Sequence, residues 1–317
     1  IPLNNMDELR HYSVMLEECM AGLDLKEGGR YFDGTLGGAG HSYEILKRAK
    51  DSVLYATDLD GYGIERAKDK LKEFEGRFFI YHDNFKNFPA IAESEGLGRF
   101  DGVLLDLGMS SFQIDDKSRG FSYLAEDEPL DMRMDKDLSF TAKDVINGYS
   151  EKDLVRILKD YGEEKFAAKI AKSIAAERQK RKINTCGELV GIVERAIPAK
   201  FRYESGHPAK RTFQAVRIEV NGELEGLYES VIALARLLKK GGRIAVISFH
   251  SLEDRIVKRA FKELETDCVC DKSLPVCVCG KKREIQVITK HPITAGAEEL
   301  AENSRSKSAK LRIAEKI

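Results

Sequence analysis

Residues 31–42, Tyr-Phe-Asp-Gly-Thr-Leu-Gly-Gly-Ala-Gly-His-Ser, decide the fold of this chain. A short apolar run ends at Asp33, a glycine-rich stretch follows, and an amphipathic segment begins at His41. This order predicts a strand, a tight turn and a helix, because glycine accepts positive φ and lets a ligand approach the main chain. The free N–H groups at the start of such a helix attract polar and anionic ligands. The stretch therefore predicts a loop that binds a nucleotide-type cofactor.

The segments around this loop alternate between short apolar runs and amphipathic stretches. Strands are predicted at 30–33, 53–57, 78–81 and 101–106, and helices at 41–49, 61–74 and 86–94. Short apolar strands separated by helices are typical of a mostly parallel sheet with helices on both faces. The first hundred residues therefore indicate an α/β fold.

The middle of the chain interrupts this pattern. Residues 107–138 are rich in Gly, Ser, Asp and Met and predict a long loop, while 141–212 is typical of helices alone. The helices expected there include 151–160, 163–181 and 185–196. The α/β pattern then returns, with a helix at 213–239, a strand at 243–248, a helix at 251–264 and strands at 284–290 and 309–316. We predict a core formed by residues 1–108 and 213–317, with an all-helical insertion at 109–212.

Composition limits the class of protein. The chain has 317 residues, 42% of them hydrophobic, and a net charge of −1. No apolar run approaches the roughly 18 residues that a membrane helix needs, so no membrane partner is expected. The first residues show no signal-peptide pattern, which favours a cytoplasmic location with reduced cysteines. The oligomeric state is left open, with a dimer among the expectations.

The spacing around the glycine loop selects among cofactors. Asp58 ends the second predicted strand 20 residues after Gly38, where an acidic side chain accepts hydrogen bonds from ribose hydroxyls. Tyr43 stands where a dinucleotide fingerprint needs a small residue, which disfavours NAD and an NAD-dependent dehydrogenase. Phe85 follows the third strand and can stack on an adenine ring. A final helix followed by two strands fits a methyltransferase sheet, so S-adenosylmethionine is the favoured cofactor.

Several longer motifs carry a resemblance over nearly the whole chain. They are Asp-Gly-Thr-Leu-Gly-Gly-Ala-Gly-His-Ser at 33–42, Leu-Asp-Leu-Gly-Met-Ser-Ser at 105–111, Arg-Gly-Phe-Ser at 119–122, Pro-Leu-Asp-Met-Arg-Met-Asp at 129–135, Tyr-Gly-Glu-Glu at 161–164, His-Pro-Ala-Lys-Arg-Thr-Phe-Gln-Ala-Val-Arg-Ile at 207–218 and Ser-Phe-His-Ser-Leu-Glu-Asp-Arg at 248–255. With these motifs the chain resembles the bacterial ribosomal RNA small subunit methyltransferase H (MraW) family. The resemblance implies a class I S-adenosylmethionine-dependent methyltransferase fold with an inserted helical domain. It also implies methylation of the N4 amine of a cytidine in the decoding region of small-subunit ribosomal RNA.

The resemblance also implies which residues bind the cofactor. By position, the expected contacts are Ala39, Gly40, His41, Asp58, Phe85, Asp106 and Gln113, and Gly38 joins them from the loop pattern. The chain departs from the family at Phe112, where members often have Pro, and at Met109, where Val is usual. These departures leave the shape of the loop after Asp106 open.

The predicted catalytic residues follow the same strand ends. Asp106 closes a parallel strand and is expected either to accept from the cytosine amine or only to contact the cofactor. Ser110 and Ser111 are expected to hold the base edge, or else to make ordinary loop hydrogen bonds. His250 follows a later strand and is expected to contact base or phosphate, with a buried structural histidine as the alternative.

A basic segment is the predicted RNA-binding surface. Residues 159–217 contain 14 Lys and Arg against 7 Asp and Glu. Such a cluster predicts either a phosphate-binding face or a solvated helical surface. With ribosomal RNA or a ribosomal subunit as the partner, the expected contacts are Arg178, Arg181, Lys182, Lys210 and Arg211. A non-catalytic RNA-binding or ribosome assembly factor on a methyltransferase fold is the alternative function.

Four of the six cysteines form a C-x-C…C-x-C pattern. They are Cys268, Cys270, Cys277 and Cys279. Four thiolates can bind a structural zinc ion tetrahedrally, although structural zinc sites more often use C-x-x-C pairs. The pattern therefore leaves zinc, reduced thiols and disulfides open.

Overall fold

A computed structural model describes residues 13–317 apart from 111–112, 114–115, 125, 205 and 272–275. The chain forms two compact units, one of residues 1–108 and 226–317 and the other of residues 109–225. No helix in the described part of the chain is long and apolar enough to cross a membrane.

The first unit is built on a seven-stranded sheet. Its strands are β1 (Arg30–Asp33), β2 (Val53–Asp58), β3 (Phe78–His82), β4 (Phe100–Asp106), β5 (Leu238–Ser248), β6 (Ile285–Val287) and β7 (Lys310–Lys316). Their order across the sheet is β3-β2-β1-β4-β5-β7-β6. The first five strands in this order are parallel, and β7 runs antiparallel to both β5 and β6. This confirms the predicted class I methyltransferase fold with its antiparallel final strand.

The first unit also contains helices, and the second unit is mainly helical. The helices are α1 (Leu16–Leu23), α2 (Gly40–Arg48), α3 (Gly61–Leu71), α4 (Phe88–Ser94), α5 (Ala142–Gly148), α6 (Glu151–Asp160), α7 (Ala167–Lys180), α8 (Cys186–Ala196), α9 (Lys210–Asn221), α10 (Leu227–Arg236), α11 (Ser251–Glu265) and α12 (Ala297–Glu302). In the first unit, Phe32 of β1 is fully buried and stacks on Phe88 of α4 with ring centroids 3.6 Å apart. The second unit has its own apolar core, formed mainly by α5 to α9.

The single helix predicted at 213–239 was wrong. This segment contains the end of α9, all of α10 and the start of β5. Gly222 and Gly226 separate the two helices with φ of 57° and 67°, in the left-handed region that ends a helix. Gly222 is the C-terminal cap of α9 and Gly226 is the N-terminal cap of α10. The helical periodicity of the sequence continues across both glycines, so the pattern alone does not reveal the break between the two helices.

The predicted boundary between residues 212 and 213 also differs from the structure. That position lies inside α9, whose side chains Phe213, Val216 and Val220 are buried in the core of the second unit. The second unit therefore extends to Glu225. The boundary follows the helix because a helix that packs into one core cannot be divided between two.

Candidate active site

The carboxyl ends of β1, β2 and β4 each carry an aspartate. They are Asp33, Asp58 and Asp106, and the parallel arrangement places all three at one edge of the sheet. Asp33 is buried and its two oxygens accept from Ser42 Oγ at 2.7 Å and from the Thr35 N–H at 3.1 Å. Asp33 thereby ties β1 to the start of α2. This second role of Asp33 depends on its tertiary contacts and is not visible in the sequence pattern.

The glycine loop brings backbone close to neighbouring groups. A Cβ on Gly34 would lie 2.4 Å from Leu105 Cδ2 and 2.9 Å from Phe85 Cβ, so only glycine fits there. Gly40, the first residue of α2, is approached so closely by Ser13 that a Cβ would lie 1.8 Å from its Oγ. Ala39 precedes it at φ 55°, a strained conformation for alanine. Gly38 accepts from Lys70 Nζ at 3.2 Å through its carbonyl.

Asp58 holds this loop in place. Its Oδ2 accepts from the Gly37 N–H at 2.6 Å, and its Oδ1 accepts from the Asp60 N–H at 2.8 Å. Burial raises the pKa of Asp58 to about 6, although the two hydrogen bonds favour the ionised form. Each carboxylate oxygen has a second lone pair. Asp58 can therefore accept from a ligand while it continues to order the loop.

Asp106 has a buried acceptor with no partner. Its backbone N–H donates to Thr35 Oγ1 at 2.6 Å, which fixes the end of β4. Its side-chain Oδ1 is buried and has no hydrogen-bond partner among the described residues. Burial, followed by the negative charges of Asp33 and Glu253, raises the pKa of Asp106 to about 8. Such a group is costly in a folded protein unless a ligand satisfies it.

His41 does not neutralise Asp106. Its Nδ1 lies 3.8 Å from Asp106 Oδ2, and its Nε2 lies 3.0 Å from the Val14 carbonyl oxygen. Burial lowers the pKa of His41 to about 4, so the imidazole is neutral at pH 7. The contact to Val14 then assigns the proton to Nε2 and leaves Nδ1 as an acceptor. The carboxylate of Asp106 therefore faces no cation from His41.

Phe85 lies at the same sheet edge. It begins a short 3-10 turn, Phe85–Asn87, directly after β3, and it is partly exposed. Its Cβ approaches Gly34 of the glycine loop. Phe85 therefore lies beside the glycine loop, against the residue that follows Asp33.

His250 serves as the N-terminal cap of α11. Its Nδ1 accepts from the Glu253 N–H at 3.4 Å, and Glu253 Oε2 accepts from the N–H groups of Phe249 at 2.8 Å and His250 at 3.3 Å. The imidazole Nε2 lies 3.1 Å from Glu253 Oε1. This reciprocal capping uses Nδ1, whereas Nε2 is buried and has no hydrogen-bond partner among the described residues. Its predicted contact with base or phosphate stays a prediction.

Ser110 and Gln113 belong to the second unit and contact each other. Gln113 Oε1 accepts from the Ser110 N–H at 3.1 Å, and the Gln113 N–H donates to the Ser110 carbonyl at 3.1 Å. Gln113 is buried. Ser111, the other serine predicted to hold the base, and Phe112 lie outside the described residues.

Among the predicted RNA contacts, the three arginines have partners in the second unit and the two lysines are exposed. Arg178 Nη1 donates to the Ile146 carbonyl, and Arg211 Nη1 donates to the Glu163 carbonyl, each at 2.8 Å. Arg181 pairs with Glu188 at 3.2 Å. Lys182 and Lys210 are exposed. The basic segment is thus partly a set of structural contacts within the second unit.

A depression of about 120 Å³ lies in the second unit beside α7 and α8. Arg181, Lys182 and Arg195 line it together with Glu177 and Glu188. Arg195 was absent from the predicted contacts. It joins them only because α8 packs against α7.

Known proteins are similar to this chain over almost its full length. A family model of the MraW methylase family matches residues 8–317. Ribosomal RNA small subunit methyltransferase H 2 of Agathobacter rectalis is 53% identical over 310 residues, which cover 98% of this chain and 99% of that protein. Ribosomal RNA small subunit methyltransferase H of Clostridium botulinum strain Loch Maree is 52% identical over 311 residues, which cover 98% of this chain and all of that protein. The Clostridioides difficile protein of the same name is 50% identical with the same coverage. The resemblance carried by the motifs is confirmed, and the chain belongs to the MraW methylase family.

Proposed function

We propose that this protein transfers the methyl group of S-adenosylmethionine to the exocyclic N4 amine of a cytidine in small-subunit ribosomal RNA. The buried Asp106 Oδ1 without a partner is the observation that carries the proposal, because it is an acceptor placed where a ligand must satisfy it. Family membership and relatives named as methyltransferases of small-subunit ribosomal RNA support the reaction and the substrate class.

The residues at the sheet edge fit a nucleoside cofactor that carries a positive charge. Asp58 has lone pairs available for ribose hydroxyls, and Phe85 is exposed enough to stack on a base. Gly34 and Gly40 let Leu105, Phe85 and Ser13 pack directly against the loop backbone, which fixes the shape of the glycine loop. Asp106, whose pKa is raised to about 8, supplies a negative charge to the cofactor once it loses its proton. When bound, the cofactor supplies a methyl group activated by a sulfonium.

The chemistry assigned to Asp106 follows from the nature of the amine. The N4 amine of cytosine is a poor nucleophile because its lone pair is delocalised into the ring. An ionised Asp106 that accepts from N4–H localises the lone pair and then holds the proton that the methylated amine loses. The Thr35 contact to the Asp106 backbone and the packing of Gly34 against Leu105 hold the carboxylate in position.

RNA binding is assigned to the second unit. Lys182 and Lys210 are exposed, and Arg181 and Arg195 line the depression beside α7 and α8. Cations on an exposed surface bind phosphates without reading base sequence. The choice of cytidine is therefore assigned to the active site.

The proposal is tested by incubating the purified chain with isotopically methyl-labelled S-adenosylmethionine and either free small-subunit RNA or small ribosomal subunits. Nuclease digestion and mass spectrometry then identify the methylated nucleoside, and we expect N4-methylcytidine. Label on another atom or another base would overturn the N4 assignment. RNA binding without any methyl transfer would favour the assembly factor, and calorimetric binding of NAD would favour the dehydrogenase.

A further inference from the structure

The segment between α11 and β6 brings four cysteines together. The Sγ atoms of Cys268, Cys270, Cys277 and Cys279 all lie within 4.8 Å of one another. The Cys268–Cys277 and Cys277–Cys279 pairs are separated by 3.6 Å, and the Cys270–Cys277 and Cys268–Cys279 pairs by 3.9 Å. We call these four residues the cysteine cluster.

These separations match those of a tetrahedral metal site. Zinc–sulfur bonds are about 2.3 Å long, so the sulfurs of a tetrahedral tetrathiolate are about 3.8 Å apart. A disulfide would instead bring two sulfurs to about 2.05 Å. The cysteine cluster therefore has the dimensions of a cage for a single ion.

Apolar packing does not explain why the sulfurs converge. Cys268 and Cys277 are exposed, and the intervening side chains Val269 and Val278 are 64% and 76% exposed. The chain's other two cysteines show the contrasting case, since Cys19 and Cys186 are fully buried in the two apolar cores. Ordering four side chains in an exposed loop has an entropic cost that requires a compensating interaction.

Backbone N–H groups already point at the sulfurs. The Cys270 N–H donates to Cys268 Sγ at 3.4 Å, the Val278 N–H to Cys270 Sγ at 3.3 Å, and the Val269 N–H to Cys279 Sγ at 3.5 Å. Such donors stabilise negative charge on sulfur, and secondary contacts of this kind orient metal ligands. Lys281 and Lys282 follow the cluster and add positive charge beside it.

We propose that the cysteine cluster binds one structural Zn²⁺ ion that holds residues 268–271 and 276–279 together. Four thiols bind Zn²⁺ as thiolates and release up to four protons, which leaves a site of net charge −2. With four protein ligands the coordination is closed, so the ion is structural and takes no part in methyl transfer. A metal bound mainly in the folded state stabilises that state.

The test uses the full chain, reduced, stripped by a chelator and then titrated with zinc chloride. Elemental analysis after gel filtration is expected to find about one zinc per chain, with a dissociation constant below about 10 nM in competition with a chromophoric chelator. Cobalt substitution is expected to produce the intense thiolate charge-transfer absorption of a tetrahedral sulfur site. Zinc is also expected to slow tryptic cleavage after Lys281 and Lys282.

Cys279→Ser is expected to weaken zinc binding at least about 100-fold. Val278→Ser, a change at an exposed side chain of the same segment, is the matched control and should bind zinc like the wild type. Because the segment lies outside both apolar cores, circular dichroism should show both variants folded. Zinc below about one tenth of an equivalent after reconstitution, preferential retention of iron from an equal mixture, or equal zinc affinity in Cys279→Ser would each overturn the proposal.

Discussion

Asp106 at the edge of the sheet and the arginines of the second unit differ in whether the protein supplies their hydrogen-bond partners. At the sheet edge, Asp106 keeps a buried oxygen without a partner, and its pKa is raised to about 8. In the second unit, Arg178 and Arg211 donate to backbone carbonyls and Arg181 pairs with Glu188. The unpartnered oxygen of Asp106 lies at the strand ends beside the glycine loop and is a candidate ligand contact, whereas Arg178, Arg181 and Arg211 already have partners in their own unit.

This difference changes how the predicted site residues are ranked. From sequence spacing, Asp106 and the basic segment are equally good candidates for functional sites, because a carboxylate at a strand end and a run of cations are both functional patterns. The contacts separate them: Asp106 has a vacant acceptor, and only Lys182 and Lys210 among the five predicted RNA contacts have no described role in the fold.

The largest effect is expected at Asp106. Asp106→Asn retains the shape of the side chain but loses the charge, so the single-turnover rate at saturating cofactor and RNA should fall roughly 100-fold or more. The matched control is Asp101→Asn at the opposite end of β4, where the carboxylate pairs with Lys239. That variant should keep the wild-type rate. A normal rate in Asp106→Asn would move the acceptor role to the loop after β4.

Cofactor affinity should depend on pH through the same carboxyl. The pKa of Asp106 is raised to about 8, so the group is protonated below that pH and must lose a proton to oppose a cation. The affinity for S-adenosylmethionine, measured by calorimetry, should therefore fall roughly tenfold per pH unit below about 8. Asp106→Asn should retain only the dependence of Asp58, whose pKa is about 6. An unchanged profile in that variant would contradict the assignment.

A smaller loss is expected at Asp58. Asp58→Ala removes charge-assisted hydrogen bonds of roughly 1.5–3 kcal/mol, so cofactor binding should weaken at least about tenfold. Asp60→Ala is the matched control, because Asp60 caps α3 through Tyr62 and Gly63 and its own N–H to Asp58 remains. That variant should lose about 1 kcal/mol of stability and bind the cofactor normally. Equal affinities in the two variants would remove the ribose role from Asp58.

The smallest effects are expected on the basic surface. Lys182→Ala with Lys210→Ala should weaken RNA binding and reduce the slope of log affinity against log salt by about 1.4, since each phosphate contact to a single strand contributes about 0.7. Arg178→Ala should leave that slope unchanged and lower the free energy of unfolding by about 1 kcal/mol, because its partner is the Ile146 carbonyl. If Arg178→Ala changes the slope instead, a cation with a partner inside the unit also binds RNA, and the distinction between partnered and exposed cations is wrong. Filter binding over a salt series and urea unfolding provide the two measurements.

Local patterns were sufficient for most of the sheet. Apolar runs ended by Asp33, Asp58 and Asp106 predicted β1, β2 and β4, because a buried parallel strand needs continuous apolar residues and the following turn needs polar ones. They were not sufficient for β5, which begins at Leu238, five residues before the predicted start. That early start depends on pairing between Leu238 and Phe100 across an irregularity in the β4–β5 register, which is a contact between distant segments.

The fold class, the glycine loop and the identity of the strand-end aspartates follow from residue types at short spacing along the chain. Tertiary structure alone decided that His41 is neutral, that Asp106 lacks a partner and that Arg195 joins Arg181 and Lys182. It also decided that the four sulfurs of the cysteine cluster meet in an exposed segment. Burial and partner contacts arise from residues far apart in the chain, so spacing along the sequence cannot specify them.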